Sequence, residues 1–334
     1  MSTELNIYKK NRINELIQNY NNNIRTLTNE LNNNITIIKK SRQSILIKNK
    51  LINTLIKNYN NNQSILKKTF NQNNLSIQNF IPKNITLNKK KHAIIIGINY
   101  TGTTSELYGC INDANSIETM IKNKGGFNSV NVITDLTNIK ATKNNILNQL
   151  KNILQQTQSG DFIFLYYSGH GSYVLDKSND EKTGYDQIII PCDFEIILDD
   201  ELKNIIQLYL KQNVTLFAMF DSCFSGTVLD LKYQYMDSLD YNNYSENNKQ
   251  LETLGNVFMI SGCTDYQTSL EVEINNKNAG VMTWSFLEAL KQNPSGSWRE
   301  LVKKMRDVLK KNNFVQLPQF SCGKFENFDS KIFI

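Results

Sequence analysis

The sequence predicts an α/β protein with a mostly parallel central sheet flanked by helices, preceded by an Asn-rich helical or coiled-coil arm. Three observations predict it. Short apolar runs alternate with amphipathic stretches from residue 91 onward, charge and composition break near residue 90, and apolar residues recur every seven positions before that break.

The arm comes first. Residues 1–90 hold 15 Lys+Arg and 3 Glu with no Asp, a balance of +12, whereas the remainder holds 22 Lys+Arg against 28 Asp+Glu. Those 90 residues carry 23 Asn, and no glycine precedes Gly97. The boundary therefore falls at 81–91, IPKNITLNKKK. Ile17, Ile24, Leu31, Ile38, Ile45, Ile52, Tyr59 and Leu66 form one apolar seam, while the companion seam through Asn34, Ser41, Lys48 and Asn62 is half polar. One good seam and one poor one describe a helical hairpin or weak coil, with a disordered tail as the alternative. Asn is a poor helix former, so the runs at 21–23, 32–34 and 60–62 are expected to interrupt or fray any helix.

Beyond the boundary, HAIIIGI (92–98), VNVIT (130–134), DFIFLYY (161–167), QIII (187–190), VTLFAMF (214–220) and NVFMI (256–260) read as buried strands. Between and after them, 112–124, 142–157, 199–211, 280–292 and 297–312 read as amphipathic helices. A parallel sheet covered on both faces places its ligand site at the carboxyl ends of the strands.

Composition narrows the chemistry. With 334 residues, 40% hydrophobic, 20% charged and only 4 Pro, the chain is not collagen-like, mucin-like or membrane-spanning. Its N-terminus MSTELNIYKK carries no secretory signal, so a cytoplasmic location and no membrane partner are expected. Five widely spaced cysteines without a CxxC pair exclude a disulfide framework and argue against a Cys-ligated zinc site. Two histidines, His92 and His170, exclude any chemistry that needs several. The basic arm lacks interleaved aromatics and any nucleic-acid-binding motif, so it reads as a solvated face and nucleic acid is not an expected partner.

Two strands end in reactive residues. DFIFLYY runs into Ser168-Gly169-His170-Gly171 and VTLFAMF into Asp221-Ser222-Cys223-Phe224-Ser225-Gly226, which puts an imidazole and a thiol at one sheet edge. Alone, a buried Cys is common and a single His is more often structural than catalytic; together, each in a Gly/Ser turn after a buried strand, they read as a nucleophile and its base. Asp113 and Asp221 lie near this thiol. Like charge disfavours a thiolate, so these acids make better sense as a receptor for a guanidinium or ammonium. Asp186, Asp199, Asp200 and Asp230 form a second acidic set without His or Cys, which suits calcium or, for Asp199 and Asp200, ordinary helix capping.

The blocks KKHAIIIGINYTGTTSELYGCINDA, YYSGHGS, GYDQIIIPCDF, ILDDEL, FDSCFSGTVLDL, SGCTDYQTSLE and LPQFS, in this order from residue 90 to about 322, resemble the metacaspases. The resemblance implies a caspase-hemoglobinase fold, with a large catalytic part at 91–232, a short linker at 233–251 and a small part at 252–334. That short linker looks like type I members. The resemblance further implies a calcium-dependent cysteine endopeptidase, made as a zymogen, that cleaves protein or peptide substrates after Lys or Arg. His170 matches the base and Cys223 the nucleophile, with the N–H groups of Gly171 and Cys223 as oxyanion donors. Asp113, Ser168 and Asp221 match the pocket for the basic side chain, and Asp186, Asp199, Asp200 and Asp230 match the calcium ligands. Phe224 departs from the family, which usually has histidine after the nucleophile. Cys110 reads as a packing residue. Lys232 and Lys249 flank the linker and are candidate self-cleavage sites. The catalytic part is expected to be monomeric, with the arm available for self-association. A rival reading is a caspase-like scaffold assembled through that arm.

Overall fold

A computed structural model describes residues 2–78, 89–176, 184–235, 244–247, 250, 252–262, 271–274, 277–325 and 331–332. The arm is a helical hairpin of α1 (Ser2–Lys40) and α2 (Ile45–Gln78). Thr28 meets the Tyr59 hydroxyl at 3.0 Å and Tyr20 meets the Phe70 ring at 4.8 Å, so the two helices run antiparallel. All three Asn runs lie inside helix, contrary to the expected fraying. Each Asn costs only about half a kcal/mol of helix propensity. Packing between the helices and onto the body outweighs that: Leu16 and Leu66 are buried, and Tyr20, Ile24 and Leu27 pack against the main core. The sevenfold seam does not stay in one interface, because the turn at 41–44 cuts it and leaves Ile45 79% exposed.

The body follows in chain order: β1 (Lys91–Gly97), α3 (Cys110–Lys124), β2 (Ser129–Thr134), α4 (Lys143–Gln156), β3 (Phe162–Ser168), β4 (Gly171–Leu175), β5 (Tyr185–Ile189), β6 (Ile197–Leu198), α5 (Asp199–Tyr209), β7 (Thr215–Asp221) and β8 (Tyr233–Tyr235). Then come β9 (Ser245–Glu246), β10 (Asn256–Ser261), β11 (Glu271–Ile274), β12 (Lys277–Gly280), α6 (Val281–Gln292), α7 (Trp298–Lys311) and β13 (Gln319–Cys322). The central sheet has the order β2-β1-β3-β7-β10-β13-β8-β9. Pairing from β2 through β10 is parallel, and β13, β8 and β9 extend it antiparallel.

All seven residues of β3 are buried, as a central parallel strand covered on both faces requires. On one face α3, α6 and α7 close a core around Phe164, Phe217, Phe286 and Trp298. On the other, α4 and α5 close a core around Ile94, Leu165, Leu216 and Leu202. Helix starts follow their sequence signals: Thr142 caps α4, and Ser297 with Glu300 forms a capping box on α7.

Two sequence readings change. The QIII run is β5, but it pairs with β4 and β6 in a separate three-stranded antiparallel sheet rather than in the central one. An apolar run reports burial, not which sheet provides it. The 233–251 connector is also more than a polar spacer, since β8 and β9 lie within it and lengthen the central sheet.

Candidate active site

The site follows from strand register. β3 and β7 are adjacent parallel strands whose last residues, Ser168 and Asp221, are register partners. His170 and Cys223 each lie two residues further on, so both residues leave the same sheet edge from neighbouring strands. Gly171 brings the two loops into contact: a Cβ there would stand 2.2 Å from the Cys223 carbonyl oxygen, a collision no side chain tolerates. The two positions expected to supply oxyanion donors, Gly171 and Cys223, are thus backbone neighbours.

His170 is held on several sides by groups the sequence did not single out. Its Nε2 lies 2.8 Å from the Ser105 carbonyl oxygen. A carbonyl only accepts, so Nε2 carries the proton and Nδ1 is left as the basic nitrogen. The Tyr100 ring packs on the imidazole at 4.6 Å, and the backbone N–H of His170 donates to the Tyr100 hydroxyl at 2.8 Å. Tyr100 in turn donates to the Ile190 carbonyl, while Tyr167 donates to the His170 carbonyl at 2.7 Å. Burial pushes both phenols far above the usual tyrosine range, so they act as neutral hydrogen-bonding props. Asp135 fixes the loop beneath by accepting from the N–H groups of Asn99 (3.1 Å) and Thr101 (3.0 Å). The other histidine is structural: His92, at the opposite end of β1, bonds Ser129 at 2.7 Å, and burial lowers its pKa.

Asp113, Ser168 and Asp221 come together below this edge, on the side covered by α3 and α6. Ser168 Oγ donates to Asp113 at 3.4 Å. The acids do not line an open hollow. They are 2% and 4% exposed, and the start of α6 is seated on them. The Gly280 N–H donates to Asp113 at 2.8 Å, and the Thr283 N–H and hydroxyl donate to Asp221 at 2.9 and 2.7 Å. A Cβ on Gly280 would meet Asp221 Oδ2 at 2.2 Å and Asp113 Oδ2 at 2.8 Å, so both carboxylates converge on that glycine. Tyr166 completes the group by bonding Thr283 at 2.7 Å; burial first, then the charges of Asp113 and Asp221, drive its pKa up.

The second acidic set is on the other side of the sheet. Asp199, Asp200 and Asp230 present carboxylate oxygens within 4.8 Å of one another; Asp186 on β5 is buried but lies outside that trio. Asp199 and Asp200 open α5, and Asp230 is held at φ 47° in the loop after the nucleophile. Asp199 accepts from the Gln187 N–H at 2.6 Å and from the Asp200 N–H at 2.8 Å. Burial, and next the charge of Asp230, push its carboxyl up to about 9. The acids have one counter-charge close by. Lys203, one turn into α5, places its ammonium 3.2 Å from Asp200 and 3.4 Å from Asp230 while only 9% exposed. The donors are all oxygen, close together and short of positive charge, which fits a hard cation.

Of the remaining residues, Cys110 is buried at the start of α3. Lys232 pairs with Glu246 at 3.3 Å and covers the Tyr233 ring at 5.6 Å; Lys249 lies outside the described residues. Among the described residues no helix is long and apolar enough to cross a membrane.

Comparison with known proteins agrees with the geometry. The family described as metacaspase, peptidase C14 domain, matches residues 91–232. Metacaspase-1 of Debaryomyces hansenii is 32% identical over 73% of this chain and 67% of its own length. Metacaspase-1A of Aspergillus terreus is 34% identical over 70% of each chain. Metacaspase-1 of Schizosaccharomyces pombe is 32% identical over 73% of this chain and 70% of its own. A solved protein from Geobacter sulfurreducens shares the fold, with a TM-score of 0.52 and 24% identity over 70% of this chain and 93% of that one. The chain belongs to the metacaspase family and is a caspase-like cysteine peptidase.

Proposed function

We propose that this peptidase is calcium-dependent and cleaves proteins or peptides inside the cell after Lys or Arg, with Cys223 as nucleophile and His170 as base. The observation that carries the catalytic assignment is the register of Ser168 with Asp221, which sets His170 and Cys223 at equivalent steps beyond adjacent strands.

The chemistry then follows from the residues. The Cys223 thiol gives its proton to the basic nitrogen of His170 and attacks the scissile carbonyl. His170 returns that proton to the departing amine, then deprotonates the water that hydrolyses the thioester. The Ser105 carbonyl faces the other ring nitrogen and fixes the ring's tautomer and orientation. Fixed N–H dipoles at Gly171 and Cys223 suit the oxyanion. Asp113 and Asp221 support the basic preference: a guanidinium entering there finds two carboxylates and must share them with Gly280 and Thr283. Asp199, Asp200 and Asp230 are the residues that would hold calcium, with Asp186 nearby. A bound calcium would supply the positive charge this trio lacks and tie α5 to the loop that follows the nucleophile.

Hydrolysis of fluorogenic peptides ending in Arg, Lys or Asp, in calcium or in EGTA, tests the reading. Arg and Lys peptides should turn over only with calcium, and Cys223→Ala should lower the rate at least ~10³-fold. Turnover of the Asp peptide, or equal rates in EGTA, would overturn the specificity or the metal dependence respectively. Self-processing at Lys232 or Lys249 is checked by mass spectrometry of fragment ends: identical intact chains for wild type and Cys223→Ala in calcium would remove it.

A further inference from the structure

Beside the nucleophile stands a set of large apolar side chains that the reaction as described does not use. Phe224 follows Cys223 directly and holds φ 52°, a conformation bulky residues rarely adopt. Its ring meets Tyr173 edge-on at 5.0 Å, and Tyr173 meets Tyr185 edge-on at 5.0 Å. Tyr173 and Leu175, two apart on β4, share a face, and Leu175 is the register partner of Tyr185 on β5. The four residues therefore make one surface. It is an open one: Tyr173 is 47%, Tyr185 40% and Leu175 68% exposed. Edge-to-face contacts favour a fixed ring geometry, and contiguous exposed apolar side chains give an apolar partner a surface to bind.

Its position says what it binds. The acids Asp113 and Asp221 lie on the α3/α6 side of the sheet, whereas the β4–β5 hairpin lies on the side of α4 and α5. The ledge is therefore across the catalytic pair from the basic-residue pocket. It also begins at Gly171, directly after the histidine that must reach the departing amine.

We propose that Phe224, Tyr173, Leu175 and Tyr185 form a subsite for an apolar or aromatic side chain on the leaving-group side of the scissile bond. Together with the acids it makes this chain select a basic residue followed, within two positions, by a large apolar one. The choice of side rests on the catalytic reading of His170 and Cys223; the apolar preference does not.

The test uses the full chain carrying Cys223→Ala in calcium, so that binding is measured without turnover. Fluorescent peptides with Arg before the bond and Phe, Leu, Gly or Asp in the two positions after it are titrated by anisotropy. The Phe and Leu peptides should bind about tenfold tighter than the Gly peptide. Adding Tyr173→Ser should bring that ratio close to one, while Tyr173→Phe should retain it. Equal binding of all four peptides, or an unchanged ratio in Tyr173→Ser, overturns the subsite. If Tyr173→Ser does not fold, Leu175→Ser on the exposed end of the ledge carries the same expectation. A peptide set with the residue before the bond varied as well separates the two readings. Tight binding of apolar-following peptides whatever precedes the bond would sink the basic specificity and leave the ledge standing.

Discussion

Two acidic groups flank the catalytic edge, and the protein neutralises them in different ways. Asp113 and Asp221 are met by its own backbone: the N–H groups of Gly280 and Thr283 at the start of α6 point at them, where the helix dipole also favours negative charge. Asp199, Asp200 and Asp230 receive one lysine for three carboxylates, and Asp199 is lifted to about 9 by burial and by Asp230. The first group is a fixed part of the fold, and under the proposed function it also faces the basic side chain of the substrate. In the second, burial and the neighbouring charge of Asp230 oppose ionisation of Asp199, and a cation that enters would offset both.

Asp221→Ala should separate the two groups most strongly. It strips the acceptor from the Thr283 N–H and hydroxyl as well as half the charge offered to a basic substrate. Activity on Arg peptides should fall by about a hundredfold or more, the effect of truncating one partner of a buried charged hydrogen bond. Denaturant stability should fall by roughly 1–3 kcal/mol, in calcium and in EGTA alike, because backbone donors lose their partner in either state.

Asp230→Asn should behave in the opposite manner. It removes the charge that raises Asp199 and, against that, one of the two carboxylates facing Lys203, which keeps Asp200; the two effects offset, so stability in EGTA should stay within about 1 kcal/mol of wild type. What should disappear is the calcium response that the proposed function expects: calorimetric binding and a calcium-induced rise in Tm. A loss of stability in EGTA as large as that of Asp221→Ala would erase the distinction between the two groups.

The contrast was only partly legible in the sequence. The neighbouring positions of His170 and Cys223 are legible because each follows a long apolar run and sits among glycines, and the register of β3 with β7 brings the two turns to one sheet edge. Both acid sets were visible as residues, since carboxylates are conspicuous near a thiol or at a helix start. Their partners were not. Gly280 is 167 residues from Asp113, and nothing local marks it as the contact between two carboxylates. Lys203 looked like any polar residue of an amphipathic helix. Tyr100 and Tyr167 looked like core aromatics, and only the fold shows their hydroxyls supporting His170. The arm is legible as a helical hairpin or coil, but its docking on α5, where Thr69 bonds the Leu208 carbonyl at 3.3 Å, is not. Sequence pattern reports periodicity and burial, whereas these contacts depend on which surfaces meet.

The smallest of these effects is also the most diagnostic of how the second group works. Lys203→Met keeps the unbranched stem along α5 and removes only the ammonium between Asp200 and Asp230. If that ammonium is the resident counter-charge, its loss should lower stability in EGTA. The expected size is roughly 1–2 kcal/mol, less than for a fully buried pair because Asp200 is partly exposed. In saturating calcium the deficit should shrink, since the metal supplies the missing charge. Calorimetric titration should give calcium binding several-fold tighter, because no ammonium has to be displaced. Weaker binding in Lys203→Met would mean that the lysine organises the acids for the metal instead of competing with it. An unchanged stability in EGTA would mean that the three carboxylates need no partner at all.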